Sequence, residues 1–116
     1  MSSVYFTDFE FVNSFTAERL GIVNNLPSRL EFNRDITLGV LNQAREIYGK
    51  PIYITSGYRC PKLNAAVGGA PKSYHLQARA VDVVPSDGDL ANLFDILNSL
   101  PHVEIILHNT YIHFAV

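Results

Sequence analysis

The sequence has one cysteine, Cys60, and no tryptophan. A single cysteine excludes an internal disulfide framework and any metal site built from several thiolates. Histidine is also scarce, since the 116 residues include four and three of these fall in the last fifteen. A metal site in this chain must therefore be assembled from histidine, aspartate and glutamate.

An excess of one charge and long apolar runs are missing as well. Nine Lys and Arg are balanced by eleven Asp and Glu, a formal net charge of −2, which argues against the broad basic surface that binds nucleic acids or anionic membranes. No apolar run approaches the ~18 residues of a membrane span. The first residues have neither the basic start nor the apolar segment of a secretory signal peptide. We therefore expect synthesis in the cytoplasm, no nucleic-acid partner and no membrane insertion.

The composition that is present indicates one α+β domain over residues 1–116. Hydrophobic residues make up 47% of the chain, which suits a single core, whereas two domains would each be too small for their own. Helical and strand-like patterns are both found along the sequence. We expect helices packed on one side of a small, mostly antiparallel sheet.

The best-defined predicted element is a helix from about Ser28 to Tyr48. Its apolar positions recur at helical spacing, and Gly49 ends it. A later helix, through about residue 98, is expected to be capped by Ser86 or Asp87. The remaining predicted elements are two helical turns, at 9–12 and 17–20, one short helix, at 61–67, and four strands, at 52–55, 78–84, 103–107 and 111–116.

Three polar residues occur in or beside predicted apolar strands. Asp82 lies among alanine and valines, where a carboxylate is costly to bury without a partner. His75 lies in the loop before that strand, and His113 lies within the apolar run YIHF. Two histidines and one carboxylate are a common ligand set for catalytic zinc. A cap or ion pair for Asp82, and ordinary core or edge positions for the histidines, are the alternatives that these residues leave open.

Several short blocks occur in the order found in a known enzyme family. The blocks are Ser56-Gly57-Tyr58-Arg59, then Leu63-Asn64 with Val67-Gly68-Gly69, then Ser73-x-His75-x6-Asp82, and finally YIHF at 111–114. Together with the N-terminal segment, they resemble the zinc D-Ala-D-Ala carboxypeptidase family over essentially the whole chain. These are metallopeptidases of bacterial cell walls and their phages, related in fold to the Hedgehog signalling domain.

The resemblance implies a zinc cofactor, a peptidoglycan peptide as the substrate, and a role for each matching residue. His75, Asp82 and His113 match the three zinc ligands. Arg59 matches an arginine that contacts the substrate and helps to polarise the scissile carbonyl, and Ser73 matches a serine that helps to hold the peptide. The oligomeric state is left open.

The chain departs from the family pattern at two places. Ala78 stands where the family usually has glycine, a small change that the backbone can accommodate. The family also expects a glutamate shortly before the final histidine as general base, whereas here His108 lies at or beside that position. Glu104 is the only carboxylate nearby. If residues 109–110 form a two-residue turn, Glu104 and His108 share one sheet face with His113, so either is a candidate for the base.

These observations predict a zinc metallopeptidase that cleaves a peptidoglycan bond, either as a D-Ala-D-Ala carboxypeptidase or as an endopeptidase of the stem or cross-bridge. The alternative is a zinc-containing peptidoglycan-binding or structural module that has lost catalysis. Since no signal peptide is found, we expect the protein to reach the wall after lysis or by assisted export. A phage lysis protein, or endolysin, would fit this.

Overall fold

Four strands form one antiparallel sheet in the computed structural model, which describes residues 4–116. The strands are β1 (Ile52–Ser56), β2 (Ala80–Pro85), β3 (Glu104–Leu107) and β4 (Ile112–Ala115). Their order across the sheet is β1-β2-β4-β3. The helices are α1 (Asp8–Val12), α2 (Phe15–Leu20), α3 (Glu31–Tyr48), α4 (Pro61–Ala66) and α5 (Leu90–Asn98), with 3₁₀ turns at Ser28–Leu30 and Tyr74–Gln77. This confirms the α+β prediction, although residues 1–3 of the predicted domain lie outside the described residues.

The core lies between the sheet and the two longest helices. Alternate residues of the two central strands are fully buried, as are leucines of α3 and α5: Val81, Val83, Ile112, Phe114, Leu41, Leu93 and Leu97. Successive side chains of a strand point to opposite faces. The residues between these apolar ones, Asp82 and His113, therefore project from the other face of the sheet.

Helix α3 ends where predicted but begins at Glu31 rather than about Ser28, after the 3₁₀ turn, and the capping residue of α5 differs from the prediction. Gly49 ends α3 in the left-handed region, and its N–H bonds the Arg45 carbonyl. Helix α5 is capped by Asp89, whose carboxylate accepts from the Asn92 N–H at 3.1 Å, so the prediction of Ser86 or Asp87 is wrong. Asp87 instead accepts hydrogen bonds from the Tyr48 hydroxyl and from other donors at the end of α3 and in its own loop.

Among residues 4–116, none of the helices combines the length and the apolar character that crossing a bilayer requires.

The N-terminal segment passes so close to the backbone of Gly57 that a larger residue would not fit there. The Tyr58 N–H bonds the Phe11 carbonyl at 2.8 Å, and a Cβ added at Gly57 would overlap that same carbonyl oxygen. We expect Gly57→Ala to lower the free energy of unfolding by about 1–3 kcal/mol, the usual cost of overpacking. Denaturant unfolding measures this.

Gly39→Ala is the matched control for that substitution. Gly39 lies within α3, and a Cβ there would meet nothing within 4 Å. Alanine should therefore raise the free energy of unfolding by about 0.5–1 kcal/mol, because it loses less backbone entropy than glycine. A Gly57→Ala variant as stable as the wild type would contradict the predicted overlap.

Candidate metal centre

Strand register brings Asp82 and His113 together. They are direct partners across the β2–β4 ladder, so their side chains leave the same face of the sheet at the same level. His75 comes from the 3₁₀ turn Tyr74–Gln77, which contacts β2. One ligand atom from each of the three residues lies within 4.8 Å of the others. The structure thus gathers the three predicted ligands from three separate segments.

One carboxylate oxygen lies between the two imidazoles. Asp82 Oδ1 is 3.2 Å from His75 Nε2 and 3.1 Å from His113 Nδ1. The other nitrogen of each ring also faces an oxygen: His75 Nδ1 lies 2.7 Å from the Gly57 carbonyl, and His113 Nε2 lies 2.6 Å from Glu104 Oε1. A carbonyl oxygen and an ionised carboxylate only accept hydrogen bonds. In a neutral ring, a proton on the outer nitrogen, His75 Nδ1 or His113 Nε2, satisfies the oxygen there and leaves the inner nitrogen without a proton.

The inner nitrogens then present lone pairs when the rings are neutral. Two lone pairs and a carboxylate oxygen then converge at one point, where a metal cation can bind all three. The donor set of two histidines and one aspartate is one that zinc prefers, and each histidine has the outer hydrogen bond that usually orients a metal-bound ring. His75 and Asp82 are also only 2% and 7% exposed. The residues present fit a zinc ion.

The same contacts set the protonation of the metal-free site. Burial by itself raises the pKa of Asp82, but the hydrogen bonds and charges of His113 and His75 outweigh it and hold that pKa far below the ordinary value. The hydrogen bond to Asp82 raises the pKa of His113; burial opposes this increase and Glu104 adds to it. Without a metal, Asp82 is ionised and His113 favours its charged form.

Arg59 is anchored beside the three predicted ligands. Its guanidinium donates from Nη2 to Asp82 Oδ2 at 3.4 Å, from Nε to Ser56 Oγ at 3.1 Å and from Nη1 to Asn64 Oδ1 at 3.3 Å. Asn64 is buried, and its amide also donates to the Ala70 carbonyl. A Cβ at Gly69 would overlap the Asn64 amide oxygen, so the loop after α4 needs glycine there. The Leu63-Asn64 motif in the sequence gives no indication that Asn64 holds Arg59.

Ser73 and Ala78 shape the turn that presents His75. The Ser73 hydroxyl accepts from the His75 N–H at 3.1 Å and caps the turn. Ala78 ends the turn in the left-handed region, with φ of 57°, which explains why a glycine would suit this position. The Thr37 hydroxyl donates to the Ala78 carbonyl at 2.9 Å, so a contact from α3 helps to hold alanine in this conformation.

The hairpin places both candidate bases near the cluster in the predicted register. Glu104 pairs with Ala115 and Ile106 pairs with His113, while the His108 N–H bonds the Tyr111 carbonyl at 2.9 Å. The His108 ring is stacked on that of Tyr111, with centroids 4.3 Å apart. Glu104 contacts His113, whereas His108 is exposed at the tip of the hairpin.

A cleft of about 440 Å³ covers the cluster, and all seven predicted site residues line it. Its walls also include Lys72, Tyr74 and Tyr111, which are not among the site residues predicted from the sequence. Hydrophobic periodicity does not identify them, because Lys72 lies in a loop, Tyr74 begins a short 3₁₀ turn and Tyr111 immediately precedes β4. The cleft thus joins the candidate metal-binding cluster (His75, Asp82 and His113), a fixed guanidinium and an exposed imidazole.

Comparison with known proteins gives one family. A family model described as Peptidase M15 matches residues 4–115, which is nearly the entire chain. A search of curated proteins finds no match.

The metal-free site should make stability depend on pH. Asp82 has a lowered pKa, so its contribution to the free energy of unfolding is present above the ordinary carboxyl pKa and is lost as pH falls through the lowered value. His113 has a raised pKa, so its contribution to the free energy of unfolding is present below the ordinary imidazole pKa and is lost as pH rises through the raised value. We expect chelator-treated protein to unfold at less urea at about pH 8.5 than at about pH 5.5.

Two comparisons test whether the contact between Asp82 and His113 causes this dependence of stability on pH. Asp82→Asn removes the carboxylate that raises the pKa of His113, so the difference between the two pH values should largely disappear. Added zinc should reverse the order in the wild type, because protons compete with metal for histidine nitrogens at the lower pH. The assignment fails if the wild type and Asp82→Asn respond to pH alike.

Proposed function

The chain belongs to the peptidase M15 family, whose members are zinc-dependent peptidases, and we propose that it hydrolyses a peptide bond in bacterial peptidoglycan, as a D-Ala-D-Ala carboxypeptidase or as an endopeptidase of the stem or cross-bridge. The main support is the convergence of His75 Nε2, His113 Nδ1 and Asp82 Oδ1 in a cleft that also contains Arg59. A site that only stabilised the fold would need neither the cleft nor the guanidinium.

His75, Asp82 and His113 would hold the zinc. When bound there, zinc would make a water more acidic and polarise a substrate carbonyl. Arg59 would bind the substrate and place a permanent positive charge where oxyanion character develops. Its contacts with Ser56 and Asn64 keep the guanidinium in place before substrate arrives, so little reorganisation is needed during the reaction.

Ser73 and Lys72 are suited to holding the peptide. The Ser73 hydroxyl accepts from the His75 N–H, and its own O–H remains a donor for a substrate carbonyl. Lys72 lines the same cleft, where its ammonium can attract a carboxylate of the substrate. Both residues lie within three positions of His75 along the chain, so they would align the peptide with the metal-binding cluster.

His108 would take the proton in place of the glutamate that the family resemblance leads one to expect. Its exposed imidazole lines the cleft at the tip of the hairpin, where stacking on Tyr111 orients the ring. A neutral imidazole is an effective general base near neutral pH. The alternative function, a peptidoglycan-binding module without catalysis, is favoured by the same observation, because no carboxylate occupies residues 107–111.

The place of action is part of this proposal. A wall substrate would be reached after lysis or by assisted export, as in a phage lysis protein or a bacterial wall enzyme.

Mass spectrometry of peptidoglycan fragments tests the function. Purified fragments of several wall chemistries are incubated with zinc-loaded protein, with chelator-treated protein and with Asp82→Ala. We expect loss of a terminal D-Ala, or scission within the stem or cross-bridge, only in the zinc-loaded wild type, because zinc activates the water and Asp82→Ala removes a ligand. Unchanged fragments with folded, zinc-bound protein would favour the binding module.

Replacement of His108 tests the base. His108→Ala should lower kcat by about 100-fold or more, the usual contribution of general base catalysis, while the zinc content stays that of the wild type. His102→Ala is the matched control, since His102 does not line the cleft and bonds the Leu100 carbonyl through Nδ1. Full turnover by His108→Ala would show that the base is another group.

A further inference from the structure

The closest contact of the candidate site lies on the side of His113 that faces away from the other two ligands. His113 Nε2 is 2.6 Å from Glu104 Oε1, whereas His113 Nδ1 faces Asp82. Glu104 begins the edge strand β3 and lies diagonally across from His113, because Ile106 is the direct partner of His113 and Glu104 that of Ala115. Diagonal neighbours on one face of a sheet are within reach of a long side chain.

This position suits a group that orients the histidine rather than one that accepts a proton from water. The two nitrogens of an imidazole point in diverging directions, and Nδ1 is the one that points to the metal-binding cluster. A carboxylate held at Nε2 accepts the ring proton there, which leaves the lone pair on Nδ1 and makes it a stronger ligand. A general base, by contrast, must be within hydrogen-bond reach of the proton that it removes.

We propose that Glu104 is a positioning residue that fixes the tautomer and the ring orientation of His113 and thereby sets the affinity of the site for zinc. The inference rests on the zinc site of the proposed function. His75 has the equivalent hydrogen bond from Nδ1 to a backbone carbonyl, that of Gly57. Of these two outer hydrogen-bond partners, the Gly57 carbonyl and Glu104, only Glu104 is a side chain, so it can be replaced without changing the backbone. The proton acceptor of the reaction is then His108.

Zinc affinity measured by competition with a chromophoric chelator tests this directly, with the full chain and without any substrate. Glu104→Ala should weaken zinc binding by about 10- to 100-fold, as for other outer partners of metal-bound histidines. Glu104→Gln should lose less, because an amide oxygen still accepts from Nε2–H but has no charge. Glu18→Ala and Glu18→Gln are matched controls on α2, outside the cleft, and should stay within about twofold of the wild type.

Proton NMR of the zinc-loaded protein gives a second readout that a merely structural role would not change. In the wild type, the Nε2 proton of His113 should appear as a slowly exchanging, low-field resonance, because Glu104 accepts it. That resonance should be lost in Glu104→Ala and kept in both Glu18 variants. Thermal unfolding of the metal-free proteins shows whether Glu104→Ala is folded, and Glu104→Gln provides a variant of nearly the same shape.

Two results would overturn the inference while leaving the zinc site intact. One is zinc affinity in both Glu104 variants equal to that of the Glu18 controls. The other is a loss of turnover in Glu104→Gln of about 100-fold or more with unchanged zinc affinity, which would identify Glu104 as the general base.

Different results would contradict the proposed function. A wild-type chain that binds no zinc would contradict the metal site, and the inference with it. Weaker zinc binding by Glu104→Ala in a protein without peptidase activity would support the inference and reject the proposed activity.

Discussion

The rest of the site depends on one buried carboxylate. Asp82 is ionised on a central strand between two strand neighbours, and burial of an isolated charge there would be prohibitive. Two imidazoles and a guanidinium surround it, at 3.1 to 3.4 Å. When one of these partners is removed, the carboxylate stays buried with fewer compensating contacts, so the cluster acts as a unit. A metal would replace the protons that the metal-free cluster needs.

The pleat of β2 connects this cluster to the hydrophobic core. Val81 and Val83 are fully buried in the core shared with α3 and α5, while Asp82 between them points to the cleft. Burial of the valines therefore determines the height and direction of the carboxylate, and the ladder to β4 does the same for His113. Thr37 extends this link, because its hydroxyl bonds the Ala78 carbonyl at the end of the turn that presents His75.

The hairpin is where this chain differs most from the pattern of the family it resembles. His108 occupies the tip, and Glu104 lies at the base of the same sheet face. Their separation along one face gives them different surroundings: Glu104 contacts the His113 ring, and His108 is exposed where it lines the cleft. Stacking on Tyr111 orients the His108 ring at the tip of the hairpin. The arrangement joins a preorganised cluster to an exposed imidazole in one cleft.

Much of the structure of this protein could be predicted from the sequence alone, where it depends on residues that are close together in the chain. The helical period and Gly49 were enough for α3, and a two-residue turn was enough for the hairpin register, because both depend on near neighbours in the chain. The family motifs named His75, Asp82 and His113. Only the tertiary structure decided that Asp89 rather than Asp87 caps α5, that Asn64 holds Arg59, and that Glu104 bonds the outer nitrogen of His113. These depend on side-chain rotamers and on segments that are distant along the chain, and no local period specifies which of several polar groups will meet.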